Sequence, residues 1–230
     1  MPLTMENILE GTINMNTYHK INTIFKRDPG TNYKTLLLGQ YSEPEFDLLK
    51  DYPWEITEKL DGTNIRVQWL GGEPDPLARA VVKGKTDDAD VPIEVRKYLY
   101  DRLPGGRMHD VFGMAPVCMY GEGIGPKIQS GGKYGVDTSF VLFDVLVDNN
   151  LWLSQDAVAD IGERLGLQVA PVFPQYVTLG RIVETVRDGI NSAWGDFPAE
   201  GVVARPKGGL LSRRGKRIIT KLKTKDFACV

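Results

Sequence analysis

An α+β domain with mainly antiparallel sheets and peripheral helices is the fold the sequence predicts, and three observations predict it. Six segments are β-prone and either alternating or continuously apolar: 54–58, 65–69, 117–120, 140–147, 200–205 and 217–223. Apolar residues at helical spacing are confined to a few stretches, of which 92–103, 154–165 and 178–190 are the longest. No internal repeat, low-complexity tract or linker divides the chain, so residues 1–230 read as one domain with strands at its centre and helices packed outside.

Taken in order, residues 18–28 mix apolar, aromatic and basic positions and stop at the turn pair Pro29-Gly30; they read as an edge strand or a lid over a substrate. Residues 43–50 form a short helix that Asp51-Tyr52-Pro53 ends. The runs 54–58 and 65–69 flank Asp61-Gly62, whose glycine accepts the positive φ of a tight turn, and a central hairpin is expected over 54–69. Residues 71–76 are a Gly- and Pro-rich loop, 77–82 a further strand, and Lys83-Gly84-Lys85-Thr86 a basic turn. A helix over 92–103 has Pro92 in its first turn and is closed by Pro104-Gly105-Gly106.

The strand 117–120 runs directly into Gly121-Glu122-Gly123, which should leave Glu122 well exposed at a strand end. Residues 140–147 are almost continuously apolar, hence a core strand with one acid, Asp144, inside it. Ser154 and Thr178 cap two amphipathic helices over 154–165 and 178–190. The last two strands, 200–205 and 217–223, flank a Gly-rich basic loop.

With 230 residues, 42% of them apolar, and four Trp, the chain can bury a sizeable core. No apolar run approaches a membrane span and residues 1–10 lack a basic-then-apolar signal, so a cytoplasmic protein without membrane contact is expected. Cys118 and Cys229 are the two cysteines, and His19 and His109 the two histidines, too scattered for a disulfide framework or a Cys/His metal cluster. A metal would be held by oxygen, as Mg²⁺ or Mn²⁺ is.

The net charge of −2 hides an asymmetry: residues 205–225 carry nine of the 28 basic residues and no acid, leaving 19 against all 30 acids elsewhere. Such a run is commonly a solvated face, but its position beside Gly208-Gly209 suits a phosphate-contacting surface.

Lys59-Leu60-Asp61-Gly62-Thr63-Asn64, taken alone, describes a turn beside a solvated lysine. Its weight comes from four segments further along the chain, each on a strand or at a strand end: Tyr120-Gly121-Glu122-Gly123, Phe140-Val141-Leu142-Phe143-Asp144, Ala199-Glu200-Gly201-Val202-Val203 and Lys221-Leu222-Lys223. In that order and spacing the chain resembles the covalent nucleotidyltransferase superfamily of polynucleotide ligases and mRNA capping enzymes, most closely its RNA ligase 2 branch, over about residues 18–227.

The resemblance implies a nucleotidyltransferase (ATP-grasp-like ligase) domain that uses ATP with Mg²⁺ or Mn²⁺, here without an appended C-terminal OB or helical domain. It implies that Lys59 attacks the α-phosphorus of ATP to give lysyl-AMP, that AMP passes to an RNA 5′-phosphate, and that a 3′-hydroxyl then displaces it. A lysine attacks only as the neutral amine, from a reference pKa near ~10.4, so cationic or desolvating surroundings are required. Lys221 and Lys223, two apart and therefore on one face of a strand, match the pair that contacts the α-phosphate. Glu122 matches the acid that bonds ribose, and Glu200 the acid associated with the metal. Phe143 matches the aromatic that stacks on adenine, with core packing as the competing reading and Phe140 as the substitute; Glu58 is a further adenine contact.

Where DNA ligases and capping enzymes usually carry Arg three residues after the motif Asp, this chain has Asn64, as RNA ligases do. Where the next motif usually places a phosphate-binding Arg, Lys85 stands, with Arg79 as the competing choice. The expected partner is RNA with 5′-phosphate and 3′-hydroxyl ends. A DNA ligase, a GTP-dependent capping guanylyltransferase and a non-joining RNA-end binding module are the alternatives.

Overall fold

The computed structural model describes residues 17–72 and 80–227. The predicted Arg79, the segments 73–76 and 77–79, the N-terminal residues 1–10 and Cys229 lie outside the described residues. Twelve strands are described: β1 (Asn22–Thr23), β2 (Phe25–Arg27), β3 (Leu36–Tyr41), β4 (Trp54–Lys59), β5 (Thr63–Trp69), β6 (Val81–Lys83), β7 (Val117–Ile124), β8 (Ser139–Val147), β9 (Leu151–Trp152), β10 (Gln168–Val169), β11 (Gly201–Pro206) and β12 (Thr220–Lys223). The helices are α1 (Pro44–Leu48), α2 (Ile93–Arg102), α3 (Gly105–Phe112), α4 (Gln155–Leu165) and α5 (Leu179–Asp188).

A four-stranded sheet runs β1-β12-β11-β4 and a six-stranded sheet runs β10-β8-β7-β5-β6, with β9 added to β8. Pairing is antiparallel except at β1·β12 and β10·β8. Period-two alternation sets the faces of the larger sheet. Ile65, Val67 and Trp69 of β5, Val117 and Met119 of β7 and Val95, Leu99, Met108, Val158 and Leu165 of the helices share one core. The smaller sheet buries Trp54, Ile56, Val202 and Leu222 against Ile182, Val183 and Val186 of α5 and Phe46 of α1. Both helix caps are made as expected: Ser154 Oγ accepts from Ala157 N and Thr178 Oγ1 from Arg181 N.

The inner faces of the two sheets lie towards each other, and residues 170–173 tie them together. Ala170 N donates to Leu142 O of β8, Glu58 N of β4 donates to Pro171 O, and Phe173 N donates to Ile56 O.

The expected hairpin over 54–69 does not form. β4 pairs with β11 in one sheet and β5 with β6 and β7 in the other, so Leu60-Asp61-Gly62 carries the chain across from sheet to sheet. Gly62 is not in the left-handed region. Its role is close approach: a Cβ there would stand 2.3 Å from Gly123 O and 2.9 Å from Glu122 Cγ. Alternation in two flanking runs is equally compatible with two sheets, and nothing local distinguishes them.

Four further differences arise from packing. β7 continues through Glu122 to Ile124, so that acid lies within a strand rather than exposed at its end. Pro104 follows the end of α2 at Arg102 as expected, but it also precedes α3, whose Met108 is fully buried; Gly105-Gly106 lowers intrinsic helix propensity and tertiary burial overrides it. β6 begins at Val81 and extends through Lys83. β12 is shorter than expected, starting at Thr220.

Candidate active site

The smaller sheet brings three predicted residues to one corner. Gly201 of β11 faces both Lys59 of β4 and Lys223 of β12, so Glu200, the residue just before β11, lies between two lysines. Its Oε2 is 2.6 Å from Lys59 Nζ and its Oε1 is 2.6 Å from Lys223 Nζ. Lys221 lies two residues before Lys223, opposite Val203. Burial lowers its pKa first, and the charges of Lys59, Lys223, Lys85 and Arg27 lower it further.

Beside this corner a cleft of about 490 Å³ opens between the sheets. Of the predicted residues, Lys59, Glu58, Asn64, Lys85, Glu122, Phe143 and Lys221 line it, while Glu200 and Lys223 stand at its edge, joined to Lys59 through the carboxylate.

Phe143 faces the cleft with Val141, two residues before it, and a bulge turns the next residue to the same side. Tyr120 pairs with Asp144 and Gly121 with Leu142, which leaves Phe143 as an extra residue on β8. The bulge reverses the alternation, so Val141, Phe143, Asp144 and Leu146 all face inward while Phe140, Leu142 and Val145 pack on the helix side. Phe140 is fully buried in that outer core, which removes it as a stacking candidate.

The carboxylates are held differently. Glu58 is buried, with Oε1 accepting from Ser192 Oγ at 2.6 Å and Oε2 from Ala193 N at 2.8 Å. Glu122 is half-buried directly across from Asn64. Burial pushes its carboxyl up to about 7, helped by Glu200 and Asp61 and opposed by Lys59 and the Gly62 N–H. The Asn64 Oδ1 is buried with no hydrogen-bond partner among the described residues.

Deeper in the cleft, Asp144 is fully buried and receives Arg217 through two bonds of 2.9 and 2.7 Å, Arg205 at 3.2 Å, and the Tyr18 hydroxyl. Burial alone would raise its carboxyl, but the two guanidiniums and their hydrogen bonds hold it down to about 2. Burial raises the Tyr18 phenol, and the Asp144 charge raises it further.

The basic stretch 205–225 is therefore not one stripe. Arg205 and Arg217 point inward, Lys221 and Lys223 stand at the corner, and Lys207, Arg213, Arg214 and Lys216 remain exposed on a loop.

Tyr134 and Ser192 complete the site without having been predicted. The buried Tyr134 places its hydroxyl oxygen 3.0 Å from Asp61 N, from which it accepts, fixing the crossing just after Lys59. Neither residue lies in a motif or at a diagnostic spacing from its partner.

Chemically, the corner places an amine between a carboxylate and cations, beside a space with an aromatic wall. Among the described residues no three His, Cys, Asp or Glu side chains converge on one point. A hard divalent ion held by one carboxylate together with phosphate oxygens fits such a donor set, as Mg²⁺ and Mn²⁺ sites at nucleotides do.

The family model for RNA ligase matches residues 52–223. Among solved structures, the fold is similar to a mutant of Naegleria gruberi RNA ligase with ATP and Mn, at TM-score 0.63 and 16% identity, covering 91% of this chain and 56% of that one. Another mutant of that protein, with AMP and Mn, gives TM-score 0.62 at 16% identity, with 91% and 56% covered. A third, with ATP and Mn, gives 0.59 at 17%, with 93% and 63% covered. The chain thus spans a little over half the length of these structures. No curated protein matches it in sequence.

Proposed function

The chain belongs to the RNA ligase family, and from that membership we propose that it is an ATP-dependent RNA ligase working through a lysyl-AMP intermediate. The observation that carries this reading is the carboxylate of Glu200 set 2.6 Å from both Lys59 and Lys223 at the edge of the inter-sheet cleft.

In this reading ATP enters with its adenine against Phe143 and within reach of Glu58, which the Ser192-Ala193 turn holds in place. Glu122 and Asn64, paired across β5 and β7, face the ribose. The α-phosphate lies over Lys221 and Lys223, whose charges offset what accumulates on its oxygens; phosphoryl transfer depends mainly on such positioning and neutralisation. The Lys59–Glu200 pair opens, the neutral amine attacks the α-phosphorus, the P–N bond forms and pyrophosphate leaves. An RNA 5′-phosphate oxygen then attacks the same phosphorus and frees Lys59. A 3′-hydroxyl finally attacks the RNA phosphorus and AMP departs. A divalent ion bound by Glu200 and the phosphates would supply further charge neutralisation. Lys85, at the rim, is the candidate for the RNA terminal phosphate.

The test is the mass of the protein after incubation with ATP and Mg²⁺. A gain of one AMP, lost in Lys59→Ala, is expected. A gain from GTP alone, or a label that survives in Lys59→Ala, would overturn the reading.

A further inference from the structure

We infer that the exposed turn 212–216 is a second phosphate-binding surface, separate from the cleft, that grips the backbone of the RNA strand several nucleotides from the joined end. This inference rests on the proposed ligase function for the identity of the polyanion.

Its position comes from register. Pro206 ends β11 opposite Trp54, at the far end of β4 from Lys59. At ~3.3 Å per residue, five steps of strand put roughly 17 Å between the nucleophile and the start of the loop.

The loop is built rather than loose. Leu211 bridges to Arg217, Ser212 N donates to Lys216 O at 2.8 Å, Gly215 N donates to Ser212 O at 2.9 Å, and Lys216 N donates to Ser212 Oγ at 3.2 Å. Gly215, at φ 69°, supplies the left-handed residue that closes the turn. Arg213 and Arg214 therefore occupy its tip. Its root is anchored by Arg217, which is bonded twice to the buried Asp144 and lies 4.5 Å from the centre of the Trp152 ring.

The charges are uncompensated. Lys207, Arg213, Arg214 and Lys216 are all exposed, and none makes a salt bridge with any described residue. A solvated face normally intersperses the two signs, but no acid occurs from 205 to 225 although the rest of the chain carries all 30. Concentrating four cations on one fixed loop is unfavourable until an anion meets them. Beside Lys207, Tyr176 is half-exposed, with Lys207 Nζ 4.6 Å from its ring centre, and the Tyr52 hydroxyl donates to Lys207 O at 3.3 Å. Forked guanidiniums suit phosphodiesters, and an exposed aromatic face suits unstacked bases.

The test uses a 5′-phosphorylated 20-nucleotide RNA and a 4-nucleotide one, with Arg213→Ala/Arg214→Ala/Lys216→Ala as the variant. At ~3.4 Å per phosphate along a strand, about five nucleotides are needed to span from Lys59 to the loop. The variant should lower the slope of log K against log salt for the 20-mer by about 2, at ~0.7 per lost contact. It should leave binding of the 4-mer and the self-adenylylation rate unchanged, and Arg213→Lys/Arg214→Lys should restore most of the slope. An unchanged slope for the 20-mer, or equal loss for both lengths, would overturn the inference. A wild-type protein that gains no AMP would instead overturn the ligase reading, while the salt titration still reports on the surface.

Discussion

Tyr134 holds Asp61 by its backbone: the phenolic oxygen accepts the Asp61 N–H at 3.0 Å, two residues beyond Lys59, and the buried ring is flanked by Trp194 and Phe197. The loop after Lys59 is thereby pinned to a residue 73 positions away. Tyr134→Phe removes that bond alone. It should slow lysine adenylylation in a single turnover by roughly ten-fold, through a displaced amine, with nucleotide affinity unchanged and stability lowered by about 1 kcal/mol. Labelled ATP mixed with enzyme gives the rate and an unfolding curve gives the stability. A normal rate would assign Tyr134 to packing alone.

Lys59→Ala should abolish covalent nucleotide attachment and leave the fold intact, since its side chain is partly exposed at a strand end and contributes little core. Glu200→Ala, Lys221→Ala and Lys223→Ala should each impair the same step. Normal adenylylation in any one of them removes that residue from its proposed role. Intact-mass measurement after a short ATP pulse decides each case.

Glu122 predicts a pH dependence of stability. Its carboxyl is raised to about 7 in the folded chain, chiefly by burial, against ~4.3 when unfolded. Between those values the folded protein binds a proton that the unfolded chain has lost, so its contribution favours folding most at acid pH and declines as pH rises towards about 7, then levels off. Glu122→Gln should flatten this decline and gain on the order of 2 kcal/mol over the parent at pH 8. Urea unfolding at pH 5 and pH 8 measures it, and an equal difference at both pH values would contradict the ionisation argument.

Asp144 predicts the opposite slope at lower pH. Held down to about 2 by Arg205 and Arg217 despite its burial, it stabilises the fold above its unfolded value of ~3.9 and loses that contribution as pH falls through about 2. Asp144→Asn strands two buried guanidiniums without an anion and should cost about 3–5 kcal/mol. A cost below about 1 kcal/mol would mean that water reaches the arginines.

The residues that meet at the corner were legible in the sequence because each lies in a short run of constrained types: Lys59 before Asp-Gly, Glu200 before Gly-Val-Val, Lys221 and Lys223 two apart. What joins them was not. The Asp61–Tyr134 and Glu58–Ser192 contacts span 73 and 134 residues, with no periodicity to announce them. Nor does alternation say which sheet a strand joins, so β4 and β5 read as a hairpin when they belong to two different layers. The basic stretch misled for a related reason: Arg205 and Arg217 are told apart from Arg213 and Arg214 only by the buried Asp144 that two of them meet. The bulge at Phe143 was equally invisible, yet it turns Asp144 to the inner face, where Arg205 and Arg217 meet it.

The two sheets draw on the chain in different ways, and this bears on the order in which the molecule assembles. All strands of the larger sheet come from one uninterrupted stretch, 63–169, whereas the smaller takes its strands from 22–23, 54–59, 201–206 and 220–223. Loop closure makes the second arrangement slower than the first. During synthesis the larger sheet has every partner available before Glu200, Lys221 and Lys223 exist, and the parallel pair of β1 with β12 closes across 198 residues only once β12 has been made. Pulsed hydrogen exchange during refolding is expected to protect amides of β7 and β8 before those of β11 and β12. Assembled in that order, the chain has no Lys59–Glu200 pair until most of the described fold is in place, so on the proposed function a nascent chain stalled before residue 200 should take up no AMP.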